Sequence, residues 1–131
     1  MQIIPSILVF SEKEFKTQIE KIAGAVDMVQ IDLSDGEFTP NATWPYLEPK
    51  LAQKYLDKID FELHLMVKNP FQTIKDWLNH PHLKRLLFHY ESTDNPRTVA
   101  EELQLKNLPV GLVLNPDTPV AAAAPLLDQI D

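Results

Sequence analysis

The sequence contains no cysteine, which excludes disulfide frameworks and thiolate metal sites and suits a reducing compartment. Glycine is almost as scarce, with only Gly24, Gly36 and Gly111. They are too few and too far apart to write a Walker-type or GxGxxG loop, so nucleotide binding through such a loop is excluded. Basic clusters are missing as well. With a net charge of −7, the chain is a poor partner for nucleic acid or an anionic membrane. Long hydrophobic runs are also absent. The opening "MQIIPSILVF" holds an apolar stretch of about 8 residues with no basic flank, too short for a signal sequence or a membrane span. The expectation is a folded domain in the cytoplasm.

What remains is enough to build a core. Apolar residues make up 44% of 131 residues, which supports one domain over residues 1–131 and argues against disorder. Short apolar runs alternate with amphipathic stretches. The runs are "IIPSILV" from Ile3, "MVQIDL" from Met28, "FELHLMV" from Phe61, "RLLFHY" from Arg85 and "PVGLVL" from Pro109. Each has strand length and turn residues at its flanks.

Between them lie segments with helical spacing. Ser11 and Glu14 make a capping-box pattern ahead of a stripe of Phe15, Ile19, Ile22 and Val26. Leu47, Leu51, Tyr55 and Ile59 predict a second buried stripe. Asn69-Pro70 reads as N-cap and first helical residue, ahead of Phe71, Ile74, Trp77 and Leu78. Val99, Ala100 and Leu103 follow an Asn95-Pro96 start. Asp117 to Leu127 is a fifth helical candidate that Pro125 should kink or shorten. The order is βα five times over, which predicts a parallel sheet covered by helices. An open doubly wound sheet fits, and so does part of a (β/α)8 barrel. A complete barrel needs about 250 residues, so this chain cannot close one alone.

In parallel α/β folds ligands meet the carboxyl ends of the strands. Those ends carry Ser6, Asp32 and Asp35, His64, His89 with Glu91, and Asn115. By alternation Asp32 points to the same side as Gln30 and Ser34, and an acid there is costly to bury without a cation or donors. A capped or salt-bridged strand-end acid is the plainer alternative. Asp35-Gly36 reads as a turn pair. His64 shares its face with Glu62 and Met66; a lone strand histidine is more often a satisfied core residue than a ligand, but Asp32 on the adjacent strand brings the two readings level. Met66 by itself reads as core filler. Ser6 lacks the elbow of a hydrolase nucleophile, so hydrogen bonding to ligand or backbone is its expected use. His80 and His82, flanking Pro81, are expected to face solvent at the other end of the strands. Asn115-Pro116 serves either as a turn or as a strand-end polar group.

Taken together, "PSIL", "IDLSDGEFTPN", "ELHLMVKNP", "FHYES" and "GLVLNPDTP" resemble, in order and spacing, the ribulose-phosphate 3-epimerase family. The resemblance implies a (β/α)8 barrel of which this chain covers about the first five βα units. It implies inversion at carbon 3 of D-ribulose 5-phosphate to give D-xylulose 5-phosphate. Two aspartates on opposite faces of the sugar exchange the proton, and a divalent metal (Zn, Fe, Mn or Co) stabilises the enediolate. Position by position, the resemblance makes Asp32 a metal ligand and one of the two acid/base groups, and His64 a metal ligand. Ser6, His64 and Met66 would contact the substrate.

Gln30 stands where the family has a histidine ligand, and so would be a neutral third ligand. Ser34 stands where the family has methionine, and Glu37 replaces a histidine. The second aspartate, the mobile loop and the phosphate site belong to later strands. The expectation is therefore an isomerase whose 131-residue portion is inactive alone. Its partners would be a ketopentose phosphate, and either a complementing C-terminal half or a second copy of the chain. The alternative is a non-catalytic epimerase-like binding or assembly protein that has lost the metal site.

Overall fold

The computed structural model describes residues 2–130. Five parallel strands form one sheet in the order β1-β2-β3-β4-β5. They are β1 (Ser6–Ile7), β2 (Met28–Ser34), β3 (Asp60–Met66), β4 (Leu83–His89) and β5 (Val110–Val113). Between them run α1 (Glu12–Ile22), α2 (Trp44–Leu47), α3 (Pro49–Gln53), α4 (Pro70–Ile74) and α5 (Pro96–Gln104). Sequential strands pairing as parallel neighbours, each joined through helix, give the arrangement of the N-terminal part of a (β/α)8 barrel.

Alternation decides which face meets the helices. Val29, Ile31 and Leu33 of β2, Phe61, Leu63 and Leu65 of β3, and Leu86 and Phe88 of β4 are all fully buried. They meet Phe15, Ala52, Leu56, Trp77 and Leu103 in one apolar core, and burying each large side chain contributes roughly 1.5–3 kcal/mol. The other face carries Gln30, Asp32, Glu62, His64 and Arg85, so one side of the sheet is a core wall and the other a polar surface. A bulge sharpens this division. Phe61 pairs with Leu83, whereas the next β3 residue, Glu62, pairs with Arg85. Skipping Lys84 sends Leu83 to the core and Arg85 to the polar face.

The connections depart from the helical spacing in several places. The stripe from Leu47 to Ile59 is broken into α2 and α3, because Pro49 forces Glu48 out of helical geometry (φ −131°, ψ 58°). As a result Leu47 is 61% exposed rather than buried. Asn69 precedes Pro70 in the left-handed region (φ 54°) and makes no side-chain cap. The Asn95-Pro96 start behaves as expected, with the Asn95 side chain accepting from Thr98 N–H at 3.3 Å. Ser11 likewise caps α1, accepting from Glu14 N–H at 3.3 Å. The segment from Asp117 makes two short 3₁₀ turns, Val120–Ala122 and Ala124–Gln129, instead of an α-helix.

The β2–α2 loop folds back across the mouth. Thr43 N–H donates to Ser34 O at 3.0 Å and Trp44 N–H to Val9 O at 3.0 Å. Its turn needs Gly36, which sits at φ +81° with Ala42 N only 3.2 Å from where a Cβ would stand. Gly36→Ala should therefore lower the stability of the chain by roughly 1–2 kcal/mol, read as a lower urea midpoint at unchanged slope.

Candidate active site

The polar face converges at the carboxyl ends of the strands. Asp32 pairs in register with His64, and Gln30 with both Ser6 and Glu62, so pairing sets Asp32 beside His64, and Ser6 reaches Asp32 diagonally through its hydroxyl. Asp32 is buried, at 8% exposure. Its Oδ2 accepts from Ser6 Oγ–H at 2.6 Å. Its Oδ1 accepts from Gln30 Nε2–H at 2.8 Å and lies 3.0 Å from His64 Nδ1. Burial pushes the Asp32 carboxyl up, but hydrogen bonds from His64, Ser6 and Gln30 outweigh it and hold the group below the usual carboxylate range.

The network continues past the residues that sequence reasoning singled out as site residues. His64 Nε2 lies 3.0 Å from His89 Nε2. His89 ends β4 diagonally across from His64, is itself buried, and is covered by the Phe38 ring at 4.9 Å between centroids. Its Nδ1 faces Glu91 Oε2 at 3.7 Å. The other Glu91 oxygen, Oε1, accepts from Asn115 N–H at 2.9 Å and from the Thr118 hydroxyl. One polar chain thus runs from Ser6 on β1 to Asn115 after β5. The alternation that placed Asp32 and His64 also put His89 on the polar face, but only the register between β3 and β4 shows that the two imidazoles meet.

Other strand-end residues turn elsewhere. Met66 stands two residues beyond His64 on the same strand and is half-buried. Ser34 is buried, and its hydroxyl is taken up by Thr39 Oγ1 at 2.6 Å and Asn41 O at 2.9 Å in the covering loop. Asp35 is a turn former, as its Asp-Gly pair predicts, with Oδ1 accepting from Glu37 and Phe38 N–H, each at 2.8 Å. Its Oδ2 also accepts from Lys68 N–H at 2.7 Å, which ties the β2–α2 loop to the β3–α4 loop.

His80 is not solvent-facing. Its side chain is 6% exposed, lies edge-on to Phe61 at 5.0 Å between centroids, and has Nε2 3.3 Å from Gln53 O. Packing there has taken up a residue whose flanking proline suggested an exposed loop. His82 is half-buried, with Nδ1 2.9 Å from Asp60 Oδ1.

The donor set can be tested against the cation that the resemblance implies. Gln30 turns its amide nitrogen to Asp32, and both Asp32 oxygens and both His64 nitrogens already face neighbours. Among the described residues, no group of three or more His, Cys, Asp or Glu side chains is placed to hold a metal ion. The residues present do not make a metal centre by themselves, because the Asp32 oxygens and His64 nitrogens face neighbours within the network and Gln30 adds only a neutral amide.

Comparison with known proteins decides the ancestry of this arrangement. The family model described as "Ribulose-phosphate 3 epimerase family" matches residues 2–131. The chain belongs to that family. A ribulose-phosphate 3-epimerase of Mycobacterium tuberculosis is 30% identical over 131 residues, covering 98% of this chain and 55% of the relative. One from Schizosaccharomyces pombe is 28% identical over 133 residues, covering 99% and 58%. The chloroplastic ribulose-5-phosphate-3-epimerase of Arabidopsis thaliana is 28% identical over 130 residues, covering 97% and 46%. The chain spans about half the length of the curated relatives it matches. Among the described residues, no helix is long and apolar enough to cross a membrane.

Titration of the site has a defined sign. Asp32, Asp35, Asp60 and Glu91 are all held below their ordinary range. Their stabilisation is complete above the unfolded-state values of about 4 and is lost as pH falls through the lower folded values. His89 is also lowered, by burial and then by His64. Its contribution is therefore complete above about pH 6.5 and is lost as pH falls below that. Urea midpoints should hold level down to about pH 6.5, decline gently, then fall more steeply below about pH 4. In His89→Gln the first decline should disappear.

Proposed function

We propose that residues 1–131 form one domain, the first part of an epimerase-like barrel acting on D-ribulose 5-phosphate, with Asp32 as one of the two carboxylates that exchange the C3 proton. The observation that carries this reading is a buried Asp32 at the strand mouth, accepting donors from its own and two neighbouring strands that hold its carboxyl below the usual range. Abstraction of a carbon-bound proton needs a carboxylate fixed in place and shielded from water. Ser6, Gln30 and His64 fix it, and burial keeps it largely out of water. The developing enediolate charge then needs donors aimed at it. On this reading those donors lie elsewhere in the completed barrel, Ser6 and His64 contact the sugar beside Asp32, and Met66 makes apolar contact with it.

Inversion also requires a carboxylate on the opposite face, and the relatives are nearly twice as long as this chain. The second acid, and whatever else is needed to hold a cation (zinc, iron, manganese or cobalt), are assigned to the part of the barrel these five βα units do not contain. A complementing C-terminal half is therefore the expected partner, ahead of a second copy. The cytoplasm remains the expected compartment.

The test is exchange of the C3 proton of D-ribulose 5-phosphate in deuterated water, followed by proton NMR. The chain alone should give none. The chain joined to the last three βα units of the Mycobacterium relative should give exchange and xylulose 5-phosphate. Turnover by the chain alone would overturn the division of labour proposed here. One observation favours a second reading, a non-catalytic binding or assembly protein: Gln30 spends its amide on Asp32 where the family pattern has an imidazole. If the joined barrel is inactive and binds no divalent cation, while Gln30→His creates binding, that reading replaces the first.

A further inference from the structure

We infer that Asp35 is a positioning residue of this site: its single carboxylate clasps two neighbouring mouth loops at once and so holds Phe38 and Met66 in fixed places beside the strand ends. The turn alone does not require a carboxylate. An Asp-Gly turn uses one side-chain oxygen to take up the following N–H groups, and an asparagine does the same. Oδ1 fills that role here, accepting from Glu37 and Phe38 N–H at 2.8 Å each. Oδ2 is left over, and it accepts from Lys68 N–H at 2.7 Å, 33 residues further along the chain. All three bonds have the short length of charge-assisted ones. Burial pushes the Asp35 carboxyl up, but backbone donors at Phe38, Lys68 and Glu37 hold it below the usual carboxylate range.

The place of the clasp gives it leverage. The ladder between β2 and β3 ends at the pair Ser34–Met66, and Asp35 carries the pairing one bond further. The loop that begins there leaves β2, yet its Phe38 ring lies against His89 at the end of β4, at 4.9 Å between centroids. Because β3 lies between those two strands in the sheet, the loop crosses above the end of β3. Lys68 is the residue it is fastened to there. Other ties to the β3–α4 loop are weaker. Asn69 stands in the left-handed region and makes no side-chain cap to α4, and its N–H reaches Ser92 O only at 3.4 Å, long for a hydrogen bond. The Lys68–Glu37 ion pair across the same two loops is 3.9 Å long with both side chains mostly exposed, and a pair of that kind contributes little. Asp35 therefore carries the connection.

The catalytic meaning of the clasp rests on the epimerase reading, whereas the clasp itself does not. On that reading Met66 touches the sugar and Phe38 stands across the mouth from it, so the clasp sets how far apart the two are held. Such apolar walls meet substrate and transition state alike. Loosening them weakens binding more than it slows the chemistry.

The test is NMR of the ¹⁵N,¹³C-labelled full chain, with and without Asp35→Asn. In the unaltered chain a long-range correlation should connect Lys68 N to the Asp35 carboxyl carbon across the hydrogen bond. The Glu37, Phe38 and Lys68 amides should all be protected from exchange. Asparagine has one oxygen to offer. With that oxygen on the turn, its NH₂ faces Lys68 N–H, donor against donor. Lys68 should then exchange roughly tenfold faster or more, the worth of one hydrogen bond to a charged group, while Glu37 and Phe38 keep their protection. Contacts between the Phe38 and His89 rings should weaken in the same spectra. In the joined barrel Asp35→Asn should raise KM for D-ribulose 5-phosphate by roughly three- to tenfold, with kcat changed less than about twofold. Absence of the Lys68–Asp35 correlation in the unaltered chain would overturn the clasp, and that measurement decides even if the variant does not fold. Full Lys68 protection in Asp35→Asn would overturn it as well. Lost Lys68 protection with unchanged ring contacts and unchanged KM would make Asp35 a turn former only and overturn its positioning role. If the unaltered joined barrel gives no turnover, the epimerase reading fails and the spectra of the chain still decide the clasp.

Discussion

Asp32→Asn in the completed barrel should lower C3 proton exchange by roughly 10²–10⁴-fold, the range expected when a positioned general base is removed. Asparagine keeps the shape of aspartate, so the sugar should still bind. The loss should fall on kcat, with KM changed little. A second effect accompanies the first. Asp32 accepts at both oxygens from Ser6, Gln30 and His64, and an amide presents one acceptor and one donor. One of the neighbours is then set donor against donor, at a cost of about 1–3 kcal/mol. Ser6→Ala serves as the control. It removes a single donor from Oδ2 and leaves the carboxylate, so exchange should fall by no more than about tenfold, the worth of one hydrogen bond to a charged group. If Asp32→Asn and Ser6→Ala prove equally active, Asp32 is a structural strand-end acid and not the base.

That prediction was within reach of the sequence because a parallel sheet is regular where its strands pair. Alternation in "MVQIDLS" fixes which side Asp32 takes, and "FELHLM" does the same for His64. The remaining step, register, belongs to the folded sheet, where Asp32 lies level with His64. Legibility fails where the backbone leaves that regularity. Leu83 and Arg85 share a parity in sequence, and only the bulge at Lys84 puts them on opposite faces. Leu47 and Tyr55 share a helical stripe on paper, but the pre-proline constraint on Glu48 ends α2 and leaves Leu47 in solvent. His80 looks like loop because Pro81 follows it, whereas packing against Phe61 buries its ring. Contact between His64 and His89 is a fact of side-chain reach between diagonal neighbours, and no single-strand pattern encodes it. Gln30 could be seen in sequence to stand in a ligand's place. That its amide is spent on Asp32 required the structure.

The second large effect lies at the lower end of the same polar face. Glu62 is 3% exposed and in the middle of β3. Its Oε2 accepts from Arg85 Nε–H at 2.6 Å and also from Arg85 Nη2. Arg85 is about one-third exposed, so its removal would cost little by itself in solvent. The penalty falls on Glu62, which would be left as a buried charge without its counterion. Removal of one partner of a buried pair costs about 3–5 kcal/mol. The partial exposure of the Arg85 side chain lets water reach the carboxylate and reduces this to roughly 2–3 kcal/mol. Arg85→Met should therefore destabilise the chain by that amount, whereas Glu62→Gln, which removes the charge and keeps an acceptor for Arg85, should cost about 1 kcal/mol. The double variant Glu62→Leu/Arg85→Met replaces the pair by apolar side chains of similar volume and should recover most of the loss. Urea midpoints for the three variants, taken as a double-mutant comparison, separate the accounts. If Arg85→Met and the double variant are equally unstable, the cost lies in packing on this face and not in the stranded carboxylate.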